Sequence, residues 1–243
     1  MMLGFADFMM GSSGFTCDID PLAASRVLFI RGMGANNTQP ATDELGNALT
    51  WVSNGSISTA AGDSAWPSYG SSIRINYPND PTYIQSPRAS NFSFPGDFTM
   101  RARIKRDAIN YCTIFAHEAY NGSENGNFVF RMLPDGMEFR AFDAGGANQE
   151  QVIVNNITMT DAGSFIEVEA CRASGFMRLS YNGNVIASGN LAKALGSTAN
   201  NAVRLGIGTT GGQFTPTCYA DAIIFKGVNA HTGSYTPATQ PPC

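Results

Sequence analysis

Glu167-Val168-Glu169 places two carboxylates two residues apart. In an extended strand such positions share a face and lie roughly 6–7 Å apart. That is close to the ~5–5.5 Å at which a nucleophile and a general acid cleave a glycosidic bond with retention. The residues that follow are Ala170, Cys171 and Arg172, which add no third acid. A strand face paired with a nearby arginine accounts for both glutamates without catalysis. Other catalytic candidates are sparse. The histidines are His117, followed by Glu118, and His231, and no serine or cysteine sits in a G-x-S-x-G turn. RGMGANN (31–37) lacks the spacing and the Lys-Ser/Thr of a phosphate-binding loop. The sequence therefore reads as non-enzymatic, with no cofactor motif.

Binding chemistry has better candidates. Trp51, Trp66, Tyr69, Tyr77, Tyr83 and Tyr120 could each offer a ring to a sugar. AWPSYG (65–70) sets Trp66 and Tyr69 in a proline-stiffened loop, and AYNGSENGN (119–127) reads as an amide-rich hairpin tip carrying Tyr120 and Asn121. Trp66, Tyr69, Tyr120 and Asn121 form the expected glycan-contact set. The competing reading for Trp66 is that it fills the core or an edge, as aromatics in sandwiches usually do. Asp43, Asn47, Asp63, Asp80, Asp143 and Asp221 are too scattered to name a calcium site, so calcium stays open without assigned ligands. Cys17, Cys112, Cys171, Cys218 and Cys243 are odd in number and show no metal spacing. Most are expected as free thiols in a reducing compartment, with a Cys112–Cys171 pair left open.

These residues must be positioned by strands. From residue 26 onward, short apolar runs alternate with turn signals at regular spacing, the pattern of an all-β sandwich or barrel. RVLFIRG, SIRINY, FTMRARIKR, YCTIFAHE, NFVFRML, GMEFRAFD, EQVIVNN, SFIEVEACRA, FMRLSYNG, VIASGN, AVRLGIG and ADAIIFKG are the predicted strands. In FTMRARIKR, Phe98, Met100, Ala102 and Ile104 share one face, while Thr99, Arg101, Arg103 and Lys105 share the other. Pro134-Asp135-Gly136 predicts a turn in which glycine takes a positive φ, and Asn182-Gly183 predicts a tight hairpin. GNLAKALG (189–196) has room for a turn or two of helix, and the chain has no internal repeat.

Of the 243 residues, 43% are apolar, enough for a large core. Charged residues make up 14%, against ~25% in ordinary domains. The net charge of −4 gives no basic footprint for nucleic acid. MMLGFADFMMGSSGFT is too short to span a bilayer and makes a poor signal peptide, since Asp7 interrupts it and no basic residue leads it. Leu3, Phe5, Phe8, Met9, Met10 and Phe15 nevertheless carry apolar surface whose burial contributes roughly 1.5–3 kcal/mol per side chain. Residues 1–25 are therefore expected to form an extended anchoring arm that docks on a partner subunit. Residues 26–243 are expected to form one sandwich.

Several segments then resemble a known family. GDFTMRARIK resembles the GDFTIEFWVK strand of concanavalin A-like lectin/glucanase domains of the laminin G and pentraxin kind. DELGNALTWVSNGSIST (43–59) is similar to their D-x-x-G-N opening and the strand after it. SFIEVEACRASGFMRLSYNGNVI is similar to their WhhVAvvR hairpin, with Phe165 at the tryptophan position, Arg172 retained and Asn182-Gly183 in place of Asp-Gly. VRLGIG resembles a further family strand, and YADAIIFKGVNAHTGSYTPAT resembles an ending found in bacteriophage and bacterial structural versions of the domain.

The resemblance implies a two-sheet antiparallel jelly-roll sandwich, with first and last strands side by side. It also implies a closing strap, with Tyr235 and Pro237 packing over the sandwich edge. The Glu-x-Asp-x(-x)-Glu pattern of the family's glucanases is incomplete here, so glycoside hydrolysis is the weakest reading. The leading expectation is a bacteriophage virion structural protein: a head decoration, short fibre or tail appendage. In it the arm contacts other virion proteins, the sandwich faces outward toward host-surface polysaccharide, and copies form a homo-oligomer. Assembly would take place in the bacterial cytoplasm. A carbohydrate-binding module or adhesin outside a virion is the alternative.

Overall fold

A computed structural model describes residues 17, 20–33, 37–53, 57–61, 63–66, 69–76, 82–117, 127–142, 149–160, 162–195, 202–206 and 217–243. Their strands are β1 (Arg26–Arg31), β2 (Thr50–Ser53), β3 (Ile57–Ala61), β4 (Ser71–Ile75), β5 (Thr82–Gln85), β6 (Phe98–Arg106), β7 (Cys112–His117) and β8 (Asn127–Leu133). They continue with β9 (Gly136–Phe142), β10 (Gln149–Val154), β11 (Ile166–Ala173), β12 (Phe176–Tyr181), β13 (Asn184–Asn190), β14 (Val203–Leu205) and β15 (Thr217–Lys226). Two antiparallel sheets result. An eight-stranded sheet runs β13-β12-β11-β6-β15-β4-β3, with β1 also paired to β15, and a seven-stranded sheet runs β10-β9-β8-β7-β14-β5-β2. This is the expected jelly-roll sandwich, with its first and last strands side by side in register from Arg26↔Phe225 to Arg31↔Asp221.

The two-residue side-chain period builds the core. Phe98, Met100, Ala102 and Ile104 of β6 all point inward and are fully buried. Facing them from the other sheet are Phe128, Phe130 and Met132 of β8 and Met137, Phe139 and Ala141 of β9. Phe128 stacks on Phe139 with ring centroids 5.7 Å apart, and Phe94 meets Phe128 edge-on at 6.2 Å. Arg172 closes this end of the core. It donates to the Phe94 carbonyl and the Lys193 carbonyl at 2.6 and 2.5 Å, and its guanidinium lies 4.7 Å from the Phe98 ring centre.

Several local expectations change. β5 sits inside its sheet, between β14 and β2, although prolines at 81 and 87 flank it and proline usually marks a strand edge. No helix forms at 189–195: β13 runs through Asn190, and Leu195 then bridges Phe94. Gly136 is required by contact and not by a positive φ, because a Cβ there would strike the Val154 carbonyl. Asn182 and Gly183 do take positive φ values of 48° and 74°, as a tight primed turn demands.

The cysteine expectation also needs correction. Cys17 and Cys243 are disulfide-bonded, while Cys112, Cys171 and Cys218 are buried free thiols. Cys112 faces the core from β7, but Cys171 points outward from β11, where the Thr99 hydroxyl meets it at 3.4 Å. A Cys112–Cys171 bond is therefore ruled out by the sheet itself. The predicted anchoring residues Leu3, Phe5, Phe8, Met9, Met10 and Phe15 lie outside the described residues.

Candidate functional site

The outer faces of the two sheets differ. On the seven-stranded sheet, strand register lines up one row of outward side chains. Gln151 of β10 opposes Arg140 of β9, and Arg140 opposes Val129 of β8. Val129 opposes Ala116 of β7, Ala116 opposes Arg204 of β14, and Arg204 opposes Gln85 of β5. Adjacent strands lie about 4.8 Å apart, so Arg140 and Arg204 are roughly 14 Å apart at the backbone. Between them the row holds two small residues, Ala116 and Val129, which are buried with Tyr83 and Phe142 packed against them.

Both cationic stations are held in place. Arg204 donates from Nε to Gln85 Oε1 at 2.8 Å, and its guanidinium lies over the Tyr83 ring at 4.2 Å. Glu138 is fully buried and takes Arg140 Nε at 2.8 Å on one oxygen and Arg131 Nε on the other. The guanidinium of Arg131 also lies 5.4 Å from the Tyr111 ring centre. One carboxylate thus orients two guanidiniums and leaves that group with net positive charge.

The outer face of the eight-stranded sheet is closed. Residues 227–243 cross it as a strap, and Tyr235 and Pro237 pack on the β12–β13 hairpin at the sheet's edge, as expected. His231 Nδ1 lies 2.8 Å from Glu169 Oε2, and the His231 ring stacks on Tyr235 with centroids 3.5 Å apart. Arg103 donates to the Ala238 carbonyl, Arg31 to the Pro242 carbonyl, and Arg26 to the Cys243 carbonyl. Gly183 lets the strap cross the β12–β13 hairpin, where the Tyr235 amide donates to the Gly183 carbonyl at 2.7 Å.

Glu167 and Glu169 lie beneath this strap, 4% and 0% exposed. Glu167 pairs with Arg103 at 3.2 Å, and one oxygen of each glutamate is without a hydrogen-bond partner among the described residues. Burial pushes the Glu169 carboxyl above the usual glutamate range despite His231 and Arg101. Burial likewise raises Asp221, although the Trp66 indole N–H donates to it at 2.7 Å. Burial acts to lower Arg101, but Glu167, Asp221, Glu169 and Asp20 together carry it higher.

The expected glycan-contact set divides. Trp66 and Tyr69 are buried, 3% and 6% exposed, in a cluster with Ala220. Trp66 is covered by the Arg103 guanidinium at 4.1 Å, so neither ring presents an open face to a sugar. Tyr120 and Asn121 lie outside the described residues. Of the wider aromatic candidates, Tyr83 is the one the fold sets beside the Arg204 station. Nothing in the local sequence marks Arg140 and Arg204 as neighbours, because pairing alone brings strands 64 residues apart into one row. The loop acids likewise have structural partners. Asp43 accepts the Phe29, Leu45 and Asn47 amides, and Asp63 pairs with Lys105. Among the described residues no group of three or more His, Cys, Asp or Glu could hold a metal ion.

Residues 79–229 match the family model described as concanavalin A-like lectin/glucanases superfamily, which is more than half of the chain. The chain belongs to this superfamily. No curated protein matches the sequence. Among solved structures, the chain is similar to the binding domain of Paraclostridial Mosquitocidal Protein 1, with TM-score 0.61 and 14% identity over 86% of this chain and 50% of that one. It is also similar to the binding domain of botulinum neurotoxin serotype C1, with TM-score 0.60 and 14% identity over 85% of this chain and 50% of that one. The serotype G binding domain gives 0.59 and 10% identity over 84% and 49%. The chain thus spans about half the length of these structures, and identities this low establish the shared fold alone. Within a superfamily that includes glucanases, Glu167, paired with Arg103, and Glu169, paired with His231, are buried beneath the strap and have no access to a glycosidic bond.

Proposed function

We propose that this protein is a non-enzymatic binding module that recognises carbohydrate on the outer face of the seven-stranded sheet. The observation that carries this reading is the contrast between the two faces. The face holding the paired carboxylates is sealed by the strap. The opposite face presents aromatic and guanidinium groups already fixed by their neighbours, which lowers the ordering cost of binding. The test is a glycan array probed with the wild type and with Tyr83→Ala. The wild type is expected to bind a subset of glycans, and the variant to lose roughly tenfold or more in affinity. Identical array profiles for the two proteins would move the site elsewhere.

A virion appendage is the second reading, and the position of Cys17 favours it. Cys17 is bonded to Cys243, and Asp20 pairs with Arg26 and Arg101, so the chain after residue 16 enters on the strap-covered side. An apolar arm carrying Leu3, Phe5, Phe8, Met9, Met10 and Phe15 would then anchor that side to capsid or tail subunits, copies arranged on a symmetric platform. The carbohydrate-binding face would point outward toward host polysaccharide. Deleting residues 1–15 is expected to abolish incorporation into particles and leave the folded domain intact. Undiminished incorporation would leave the free adhesin reading in its place.

A further inference from the structure

We infer that the seven-stranded face selects acidic polysaccharides, with sugar carboxylates held at the Arg140 and Arg204 stations. This rests on the carbohydrate-binding reading above and adds the chemical class of the ligand. Four observations converge on it.

First, the two stations share one cross-strand row and face the same side, on strands separated by β8 and β7. Their separation of roughly 14 Å suits a linear chain lying across the strands, with acidic groups on non-adjacent sugars. Second, the residues between them in the row are Ala116 and Val129, which are buried and offer no competing polar group. Third, the guanidiniums of this face already hold one internal carboxylate, with both Arg140 contacts on a single oxygen of Glu138. Glu138 is gripped by Arg140 through Nε and Nη2 and by Arg131 through Nε, showing how the planar guanidinium fork of this face meets a carboxylate. Fourth, Glu138 is the one carboxylate at the outward positions of these strands among the described residues, against three arginines. A locally positive row on a protein of net charge −4 is a specific feature and not general stickiness.

Arg204 donates its Nε to Gln85, and its guanidinium lies over the Tyr83 ring. With the Arg204 guanidinium over one face of the Tyr83 ring, a sugar packed against the part of the ring left exposed would bring its carboxylate within reach of that guanidinium, coupling apolar and ionic recognition at one station. At the other, the net charge left by two arginines and one glutamate would take the second carboxylate.

The experiment uses the full chain in affinity electrophoresis through gels containing polygalacturonate, its carboxyl-reduced neutral counterpart, dextran sulfate or polyglutamate. The wild type is expected to be retarded by polygalacturonate and much less by the reduced polymer, with retardation falling as salt rises. Arg140→Gln and Arg204→Gln are each expected to weaken apparent affinity roughly tenfold or more. Arg204→Lys should recover part of the loss, because it keeps the charge without the fork. Arg178→Gln, on the eight-stranded sheet, should behave as wild type and excludes a bulk charge effect. Equal retardation by the reduced polymer overturns the acidic selectivity and leaves carbohydrate binding standing. Stronger retardation by dextran sulfate overturns the carboxylate assignment. Equal retardation by polyglutamate overturns the assignment to a polysaccharide. No retardation by any saccharide, together with a blank glycan array, removes the parent reading as well. Thermal melts of each variant separate lost binding from lost folding.

Discussion

At the scale of single residues, the same chemistry has opposite consequences on the two sheets. A carboxylate beneath two half-exposed arginines, as at Glu138, organises a surface. A carboxylate beneath a strap, as at Glu169, is a burden on folding, because burial disfavours its charged form. Its folded value lies above the ordinary 4.5, so the folded state holds this proton more tightly than the unfolded chain. The associated stability is fully present below about 4.5 and is lost as pH rises through the raised value. Glu169→Gln removes the ionisation and retains an amide for His231. It is expected to raise the melting temperature at neutral pH, with the advantage shrinking to nothing near pH 4; an unchanged pH–stability curve would place the sensitivity elsewhere. Arg172 makes the contrasting case. Burial lowers its guanidinium to about 10, yet it serves the Gly96, Lys193 and Phe94 carbonyls, the last shared with the Leu195 amide. Arg172→Ala removes the donor to the Gly96 and Lys193 acceptors, and a loss of about 3–5 kcal/mol in urea unfolding is expected. The glutamate spacing and the arginine were both legible in the sequence. Their burial was not, because the cover over Glu169 arrives 62 residues later.

At the scale of elements, the longer strands were legible because their alternation is complete. FTMRARIKR shows this most directly, with each predicted inward residue fully buried. The four-residue strands β2 and β5 were harder to read. Each shows only two periods of alternation, and β5 is bracketed by prolines that normally signal an edge. What places them is pairing: β14 supplies Arg204 and Leu205 as partners for Gln85 and Ile84. The candidate site was illegible for the same reason, since its row exists only once seven strands are in register. The strap was legible as a segment and in its packing at the sandwich edge, but not in the sheet face it crosses. Its crossing point depends on Gly183, where φ is +74° and an added Cβ would strike the Tyr235 carbonyl. Gly183→Ala therefore meets two penalties. The left-handed backbone costs roughly 1–2 kcal/mol, and the strap must lift off the hairpin. Reduced thermal stability with faster proteolysis between residues 227 and 243 is expected. Equal proteolysis of the two proteins would mean that the hairpin does not seat the strap.

At the scale of the whole molecule, the covalent link decides which face is available. Cys17–Cys243 closes a loop of 226 residues and fixes the end of the strap beside β1, where Arg26 and Arg31 hold the last carbonyls and both lie 4.6 Å from the Phe29 ring centre. An odd cysteine count suggested thiols, and three of the five do remain thiols. The pairing could not be read from spacing because it joins positions that only the β1–β15 contact brings together. A bond across so long a loop restricts the unfolded chain strongly, a contribution on the order of 2–5 kcal/mol. Cys17→Ser and Cys243→Ser are each expected to lower the urea midpoint by an amount within that range. Reductant should lower the wild-type midpoint similarly and leave both variants unaffected. Carbohydrate binding under native conditions should survive either substitution, because the contacts of the clasp among the described residues lie beside β1 of the eight-stranded sheet. A variant that stayed folded yet lost glycan binding would mean that the strap side takes part in recognition, and the division of labour between the two faces would have to be abandoned.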